Sequence, residues 1–167
     1  MQALRFSKHS NSRHPMPVTP EEKMPSLRRR EVVTAFLRAR GKVLIVRRSR
    51  KVGTYQGRWS GISGYLEDPT PHAQVLREIR EETGLGEDSV HLVAECETLE
   101  IPAPEHSTCW VVHPFLFDID DPDAVRLDWE NTELAWITPG ELAGLTTVPA
   151  LDAALARCLE QERRTRE

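Results

Sequence analysis

Hydrophobic alternation and helical periodicity divide the chain into a short series of elements. Glu31-Val-Val-Thr-Ala-Phe-Leu-Arg38 and Lys42-Val-Leu-Ile-Val-Arg47 are β-branched-rich runs on either side of Ala39-Arg40-Gly41. They predict a hairpin closed by a three-residue turn containing glycine. A loop, Ser49 to Arg58, leads into a short predicted strand, Trp59 to Tyr65, whose glycines allow close backbone approach. The spacing then predicts a helix over Pro71 to Thr83, with Thr70 as N-cap, Pro71 in the first helical position and Gly84 as the left-handed stop. Strands are expected near His91 to Glu97, Cys109 to Asp118 and Glu133 to Ile137, followed by a helical turn opened by Thr138-Pro-Gly-Glu. The last element is an amphipathic helix, about Pro149 to Glu162, with Leu151, Leu155 and Leu159 along one stripe. Hairpin, strand, helix, several strands, helix is neither strict βαβ alternation nor all-β. The pattern predicts an α+β fold, a mixed β-sheet flanked by helices.

Length and composition narrow the setting. A chain of 167 residues matches one domain with its own core. Residues 28–167 are expected to form that domain, and residues 1–27 a flexible arm without the apolar segment of a signal peptide. Three cysteines, Cys96, Cys109 and Cys158, exclude a disulfide scaffold and show no metal-ligand spacing. A reducing, cytoplasmic setting follows. No run approaches the roughly 20 apolar residues of a membrane span, so no membrane partner is expected.

Charge is unevenly distributed, although the formal net charge is only -4. Arg28 to Arg58 holds eleven basic residues against the single acid Glu31, while from Trp59 onward seven basic residues face twenty-three acidic ones. The first segment suits phosphate, the second hard cations, and both are also compatible with solvated surface. The acidic part contains one informative cluster. Glu78, Glu81 and Glu82, at i, i+3 and i+4, share one face of the predicted helix. Leu76, Ile79 and Thr83 fall on the other side, so the helix is expected to turn aliphatic residues inward and acid outward. Three like charges at this spacing repel one another, and a Mg²⁺ or Mn²⁺ ion relieves that repulsion. The alternative is a solvated acidic face eased by Arg77 and Arg80.

The segment Gly64-Tyr-Leu-Glu-Asp-Pro-Thr-Pro-His-Ala-Gln-Val-Leu-Arg77-Glu78-Ile79-Arg80-Glu81-Glu82-Thr83-Gly84-Leu85 resembles the Nudix box, G-x5-E-x7-R-E-U-x-E-E-x-G-U with U aliphatic. Arg77 to Leu85 match every specified position. The first half departs: counted back from Arg77, the box glycine falls on Ser63 and the loop glutamate on Pro69. With Gly64 as the box glycine the loop is one residue short, leaving Glu67 or Asp68 to serve in a rebuilt loop.

This resemblance implies a Nudix-type α/β/α sandwich and divalent-metal-dependent hydrolysis of a nucleoside diphosphate linked to another group. Carried over by position, Glu78, Glu81 and Glu82 are metal ligands, and Glu78 also orients or deprotonates the attacking water. Arg77 pairs with a carboxylate to hold the cluster, and the backbone carbonyl of Gly64 or Ser63 is a further ligand. Members of the family often add an acid from a loop before a Trp-bearing strand. Asp128, Glu130 and Glu133 precede Trp136 here, and Glu130 is the preferred candidate.

Arg47, Arg48 and Arg58 offer positive charge for phosphate, while Tyr55, Trp59, Trp110 and Trp129 offer aromatic faces, Trp59 and Trp110 foremost. Pro102 and Pro104 lie near, but not at, the proline position of ADP-ribose enzymes. Ser60, Gly61, Ile62 and Ser63 stand where the related isopentenyl diphosphate isomerases carry cysteine, which disfavours isomerase chemistry. The expected partner is a small nucleotide. A non-catalytic nucleotide sensor and an RNA 5′-end pyrophosphohydrolase are the rival readings, and a homodimer remains open.

Overall fold

The two apolar runs form the predicted hairpin. Strands β1 (Arg28–Ala39) and β2 (Lys42–Arg48) meet with Ala39 opposite Lys42. Their turn has two residues, not three, because Ala39 stays in the ladder. Arg40 and Gly41 both take positive φ, 52° and 77°, as the turn that matches strand twist requires. The computed structural model describes residues 26–167. The expected arm, residues 1–27, lies outside the described residues except for Ser26 and Leu27.

Beyond the turn, β1 and β2 separate, and the next segment fills the fork between them. Strand β3 (Trp59–Ser60) pairs with β2, and β4 (Ile62–Tyr65) pairs with β1. The single strand expected over Trp59 to Tyr65 is therefore two, broken at Gly61. A Cβ on Gly61 would stand 2.8 Å from the Ala35 carbonyl oxygen, so only glycine fits this crossing.

The sheet continues with β5 (Val90–Glu95), β6 (Leu99–Ala103), β7 (Thr108–Ile119) and β8 (Asn131–Ile137). β7 runs parallel to β1 along Arg28 to Arg38, and its other edge carries β6 and then β5. β8 covers the outer edge of β2. β6 is not among the predicted strands. It contains Pro102, which a strand tolerates at an edge, and β6 pairs only with β7.

Helix α1 (Pro71–Thr83) has the predicted bounds, with Thr70 Oγ1 accepting from Ala73 N–H at 3.1 Å and Gly84 at φ 76°. Helix α2 (Leu151–Arg166) begins later than expected, because Ala150 sits at φ 59° and turns the chain before the first helical residue. It also runs past Glu162, so the final turn is longer than the leucine stripe indicates. A 3-10 turn at Pro139–Gly144 is the predicted helical turn.

Strand alternation sorts the core into two layers. Val33, Ala35, Leu37, Leu44, Val46, Phe115 and Phe117 pack with Val75 and Ile79 of α1. Phe36, Val43, Ile45 and Leu116 pack with Leu151, Ala154, Leu155 and Cys158 of α2 on the opposite face. The result is an eight-stranded mixed sheet between helices. Arg38 ties the second layer together by donating to Asp118 at 2.7 Å and to Glu162 at 2.7 and 2.8 Å. Among the described residues no helix is long and apolar enough to cross a membrane.

Candidate active site

The acidic face of α1 is not turned to solvent as the periodicity suggests. Glu78 and Glu82 are only 8% and 3% exposed, and Glu81 alone is open. The cause lies on β4, whose residues Ser63 and Gly64 pass directly beneath the helix. A Cβ on Gly64 would overlap the Glu78 carboxylate, so the missing side chain is what admits it. Glu82 Oε2 accepts the Ser63 backbone N–H at 3.1 Å, and its Oε1 accepts from Asn131 Nδ2 at 3.0 Å.

The shortened loop is closed by two other contacts. Arg77 forms an ion pair with Asp68 across the loop. Gln74, 1% exposed, accepts the backbone N–H groups of Glu67 and Asp68 at 2.8 Å each, while its Nε2 donates to Glu78 Oε1 at 2.9 Å. One amide thus fixes both the loop and a carboxylate. Glu67, the other candidate for the missing glutamate, enters through its backbone.

Glu130 arrives from the loop before β8. Its N–H donates to Asp128 Oδ1 at 3.0 Å and its carbonyl accepts from Ser49 N–H at 2.8 Å. These bonds bring Glu130 to Glu78 and Glu82, with one carboxylate oxygen from each of the three within 4.8 Å of the others. Glu133 is turned elsewhere, 3.6 Å from Arg47. Glu81 lines the same cavity from its exposed position on α1.

Such crowding disfavours ionisation. Burial, with the Glu81 charge added, pushes Glu78 up to about 7, against an opposing hydrogen bond from Gln74. Burial pushes Glu82 well above the usual range, opposed by the Asn131 hydrogen bond, while Glu130 and Glu78 reinforce the shift. Glu130 is raised by burial and by Asp128. Three convergent oxygen donors, each resisting its own charge, are the donor set that a hard divalent cation fits.

A cavity of ≈ 380 Å³ opens beside these carboxylates. Arg48 and Trp110 line it; Arg47, Arg58 and Trp59 do not. Trp59 packs against the α2 layer, Arg58 lies 5.4 Å from the Tyr55 ring centroid, and Arg47 donates to the Gly57 carbonyl at 3.0 Å. Arg48 is fixed by a 2.9 Å bond from Nε to the Thr54 carbonyl, and burial lowers its pKa against the pull of Glu82 and Glu130. Trp110 Nε1 donates to the Tyr55 hydroxyl at 3.0 Å, and Tyr65 stands 6.2 Å from Trp110, with Arg30 4.2 Å from the Tyr65 ring centroid.

A box helix of acids, a glycine beneath it and a mixed sheet between helices coincide with a sequence match: the NUDIX domain family model covers residues 27–159. The chain belongs to the Nudix family. No curated protein matches its sequence. Solved Nudix folds do match in shape. The MutT protein of Methanosarcina mazei Go1 superposes with a TM-score of 0.63 at 22% identity, over 84% of this chain and 98% of that one. A C. elegans Ap4A hydrolase in a binary complex gives 0.63 at 18%, over 78% and 96%. The NUDIX domain of Shewanella oneidensis NrtR, complexed with ADP ribose, gives 0.61 at 17%, over 83% and 89%.

Within this candidate site, Gln74 and Asn131 are the residues that sequence reasoning passed over. Gln74 lies one turn before Glu78 on the same helix, a signal that was readable from spacing. Asn131 reaches Glu82 across 49 residues of chain and leaves no local mark.

Proposed function

We propose that this Nudix hydrolase cleaves a pyrophosphate bond in a nucleotide-type substrate with Mg²⁺ or Mn²⁺. The observation that carries this reading is the convergence of Glu78, Glu82 and Glu130 within 4.8 Å, two of them, Glu78 and Glu130, lining a cavity together with Arg48 and Trp110. Glu78, Glu82 and Glu130 would hold the cation through one carboxylate oxygen each, with Glu81 and the backbone carbonyl of Gly64 or Ser63 placed to complete the oxygen set. When bound, a divalent cation offsets the charge of the anhydride oxygens and acidifies the attacking water.

The protein's own groups divide the remaining work. Glu78 has Oε1 held by Gln74, and among the described residues nothing donates to Oε2. That free oxygen orients the water and takes its proton as the water oxygen bonds to one phosphorus and the bridging P–O bond breaks. Arg77 acts through the loop, where its pairing with Asp68 holds the helix start in place. Arg48, pre-set by Thr54, neutralises a phosphate oxygen. Trp110 offers the base its face at the cavity wall. The Ap4A hydrolase complex and the ADP-ribose complex among the similar folds support a nucleotide in such a cavity. A sensor without turnover loses its main ground, because Asp68 and Gln74 close the loop that lacks the box glutamate.

A product-resolved panel tests the reading: nucleoside triphosphates, ADP-ribose, NADH, nucleotide sugars, dinucleoside polyphosphates, coenzyme A and 5′-triphosphorylated RNA, each with and without metal. Metal-dependent cleavage is expected. Glu82→Gln is expected to fold and to lose about 100-fold or more in turnover at limiting Mg²⁺. A near wild-type rate there would refute the ligand assignment.

A further inference from the structure

A second concavity opens from the first. It shares Arg48, Lys51 and Trp129 with the carboxylate cavity and continues over Arg47, Arg50 and Asn131. Four cations line this groove, and no carboxylate does. That composition contrasts with the rest of the molecule, where acids outnumber bases more than threefold after Trp59.

The four cations are held differently. Arg48 and Arg47 are each fixed by a backbone carbonyl, of Thr54 and Gly57 respectively, and Arg47 also forms an ion pair with Glu133 at 3.6 Å. A carbonyl orients a guanidinium without cancelling its charge. Arg50 and Lys51 are exposed and have no ion pair among the described residues. Arg47 is balanced in part by Glu133, and Arg48 faces Glu82 and Glu130, so Arg50 and Lys51 are the charges left without a carboxylate among the described residues, and an anion entering the groove gains most from them. Trp129, 60% exposed, stands on the wall between the two concavities.

We infer that this groove receives the phosphate chain that continues beyond the scissile anhydride, so that the substrates are nucleotides with three or more consecutive phosphates. The inference rests on the hydrolase reading above and specifies its leaving group. The base occupies the Trp110 side of the cavity, the anhydride lies at the carboxylates, and the outer phosphates follow Arg48 and Lys51 to Arg50. Water attacks the phosphorus at the carboxylates, the bridging P–O bond breaks, and the released inorganic phosphate chain or shorter nucleotide keeps the bridging oxygen. A nucleotide sugar or ADP-ribose places neutral hydroxyls in the groove and leaves its cations unmatched.

The test compares kcat/KM for a nucleoside triphosphate and a dinucleoside tetraphosphate with kcat/KM for ADP-ribose and a nucleotide sugar, in wild type and in the double variant Arg50→Ala/Lys51→Ala. The polyphosphates are expected to lead in wild type, and the variant is expected to reduce that lead by about tenfold. Calorimetry with an α,β-methylene nucleoside triphosphate gives a readout independent of turnover. Its affinity relative to the nucleoside monophosphate is expected to fall in the variant, and to fall with added salt. Equal or better turnover of ADP-ribose, or an equal loss for both substrate classes in the variant, overturns the inference and leaves the hydrolase intact. Absence of metal-dependent turnover for every diphosphate overturns both. Preference for 5′-triphosphorylated RNA, with a steep salt dependence that the double variant leaves unchanged, overturns it in favour of a nucleic-acid surface outside the groove.

Discussion

Gly64 shows how much a site can depend on an absent side chain. Its neighbour above is the Glu78 carboxylate, and any Cβ there would occupy the same space. Gly64→Ala is therefore expected to push α1 from β4, leaving a folded protein with turnover reduced by about 100-fold, since a displacement near 1 Å in a catalytic group has that effect. Circular dichroism with steady-state rates would check it, and unchanged turnover would mean that Glu78 can move without consequence. Gln74 makes the complementary case, in which one amide serves three partners. Gln74→Met preserves shape but removes the acceptor for Glu67 and Asp68 and the donor to Glu78. A stability loss of about 1–3 kcal/mol is expected by urea denaturation, with slower turnover. Spacing alone identified Glu78 and Glu82 as neighbours, but not that both are buried. Burial depends on what passes beneath the helix, and the glycine responsible stands fourteen positions upstream.

Helix α1 was readable to its ends because its signals are local. Thr70, Pro71 and Gly84 act on backbone groups within one turn, so a sequence window contains the whole cause. Thr70→Ala removes the cap to Ala73 N–H and is expected to cost about 1 kcal/mol in a chemical denaturation series. A loss near zero would show that water replaces the hydroxyl there. The strands were less legible where pairing decides them. Trp59 to Tyr65 reads as one strand, yet the divergence of β1 from β2 gives its two halves different partners, and Gly61 marks the change. β6 carries Pro102 and reads poorly as a strand until β7 supplies an edge beside which the proline does no harm. The same limit applied to the candidate substrate-binding residues. Trp59 and Trp110 are equivalent as isolated aromatics, but β3 sends Trp59 to the α2 layer while β7 places Trp110 in the cavity wall.

Charge acts on the molecule as a whole, because the groups that assemble the site also oppose its folding. Burial and neighbouring carboxylates raise Glu78 from its usual 4.5 to about 7 in the native state. Between these values the native protein holds more protons than the unfolded chain, so stability falls as pH rises. The contribution is fully present below about 4.5 and lost as pH climbs through about 7. Glu82 and Glu130 are raised as well and act in the same sense. Arg38 holds Glu162 below its usual value, which has the opposite sign, but that contribution is already complete above the ordinary carboxylate range. From mildly acid to mildly alkaline pH the raised site carboxylates therefore govern the trend. For Glu78 alone the shift corresponds to about 3 kcal/mol, or a fall in Tm of about 5–10 °C for a domain of this size. Scanning calorimetry in EDTA is expected to show that fall. On the proposed metal site, millimolar Mg²⁺ should restore Tm at alkaline pH and do little in acid, because a cation held by deprotonated carboxylates would compete with protons for them. A Tm independent of pH in EDTA, with no gain from Mg²⁺, would mean that the three carboxylates do not share a buried site.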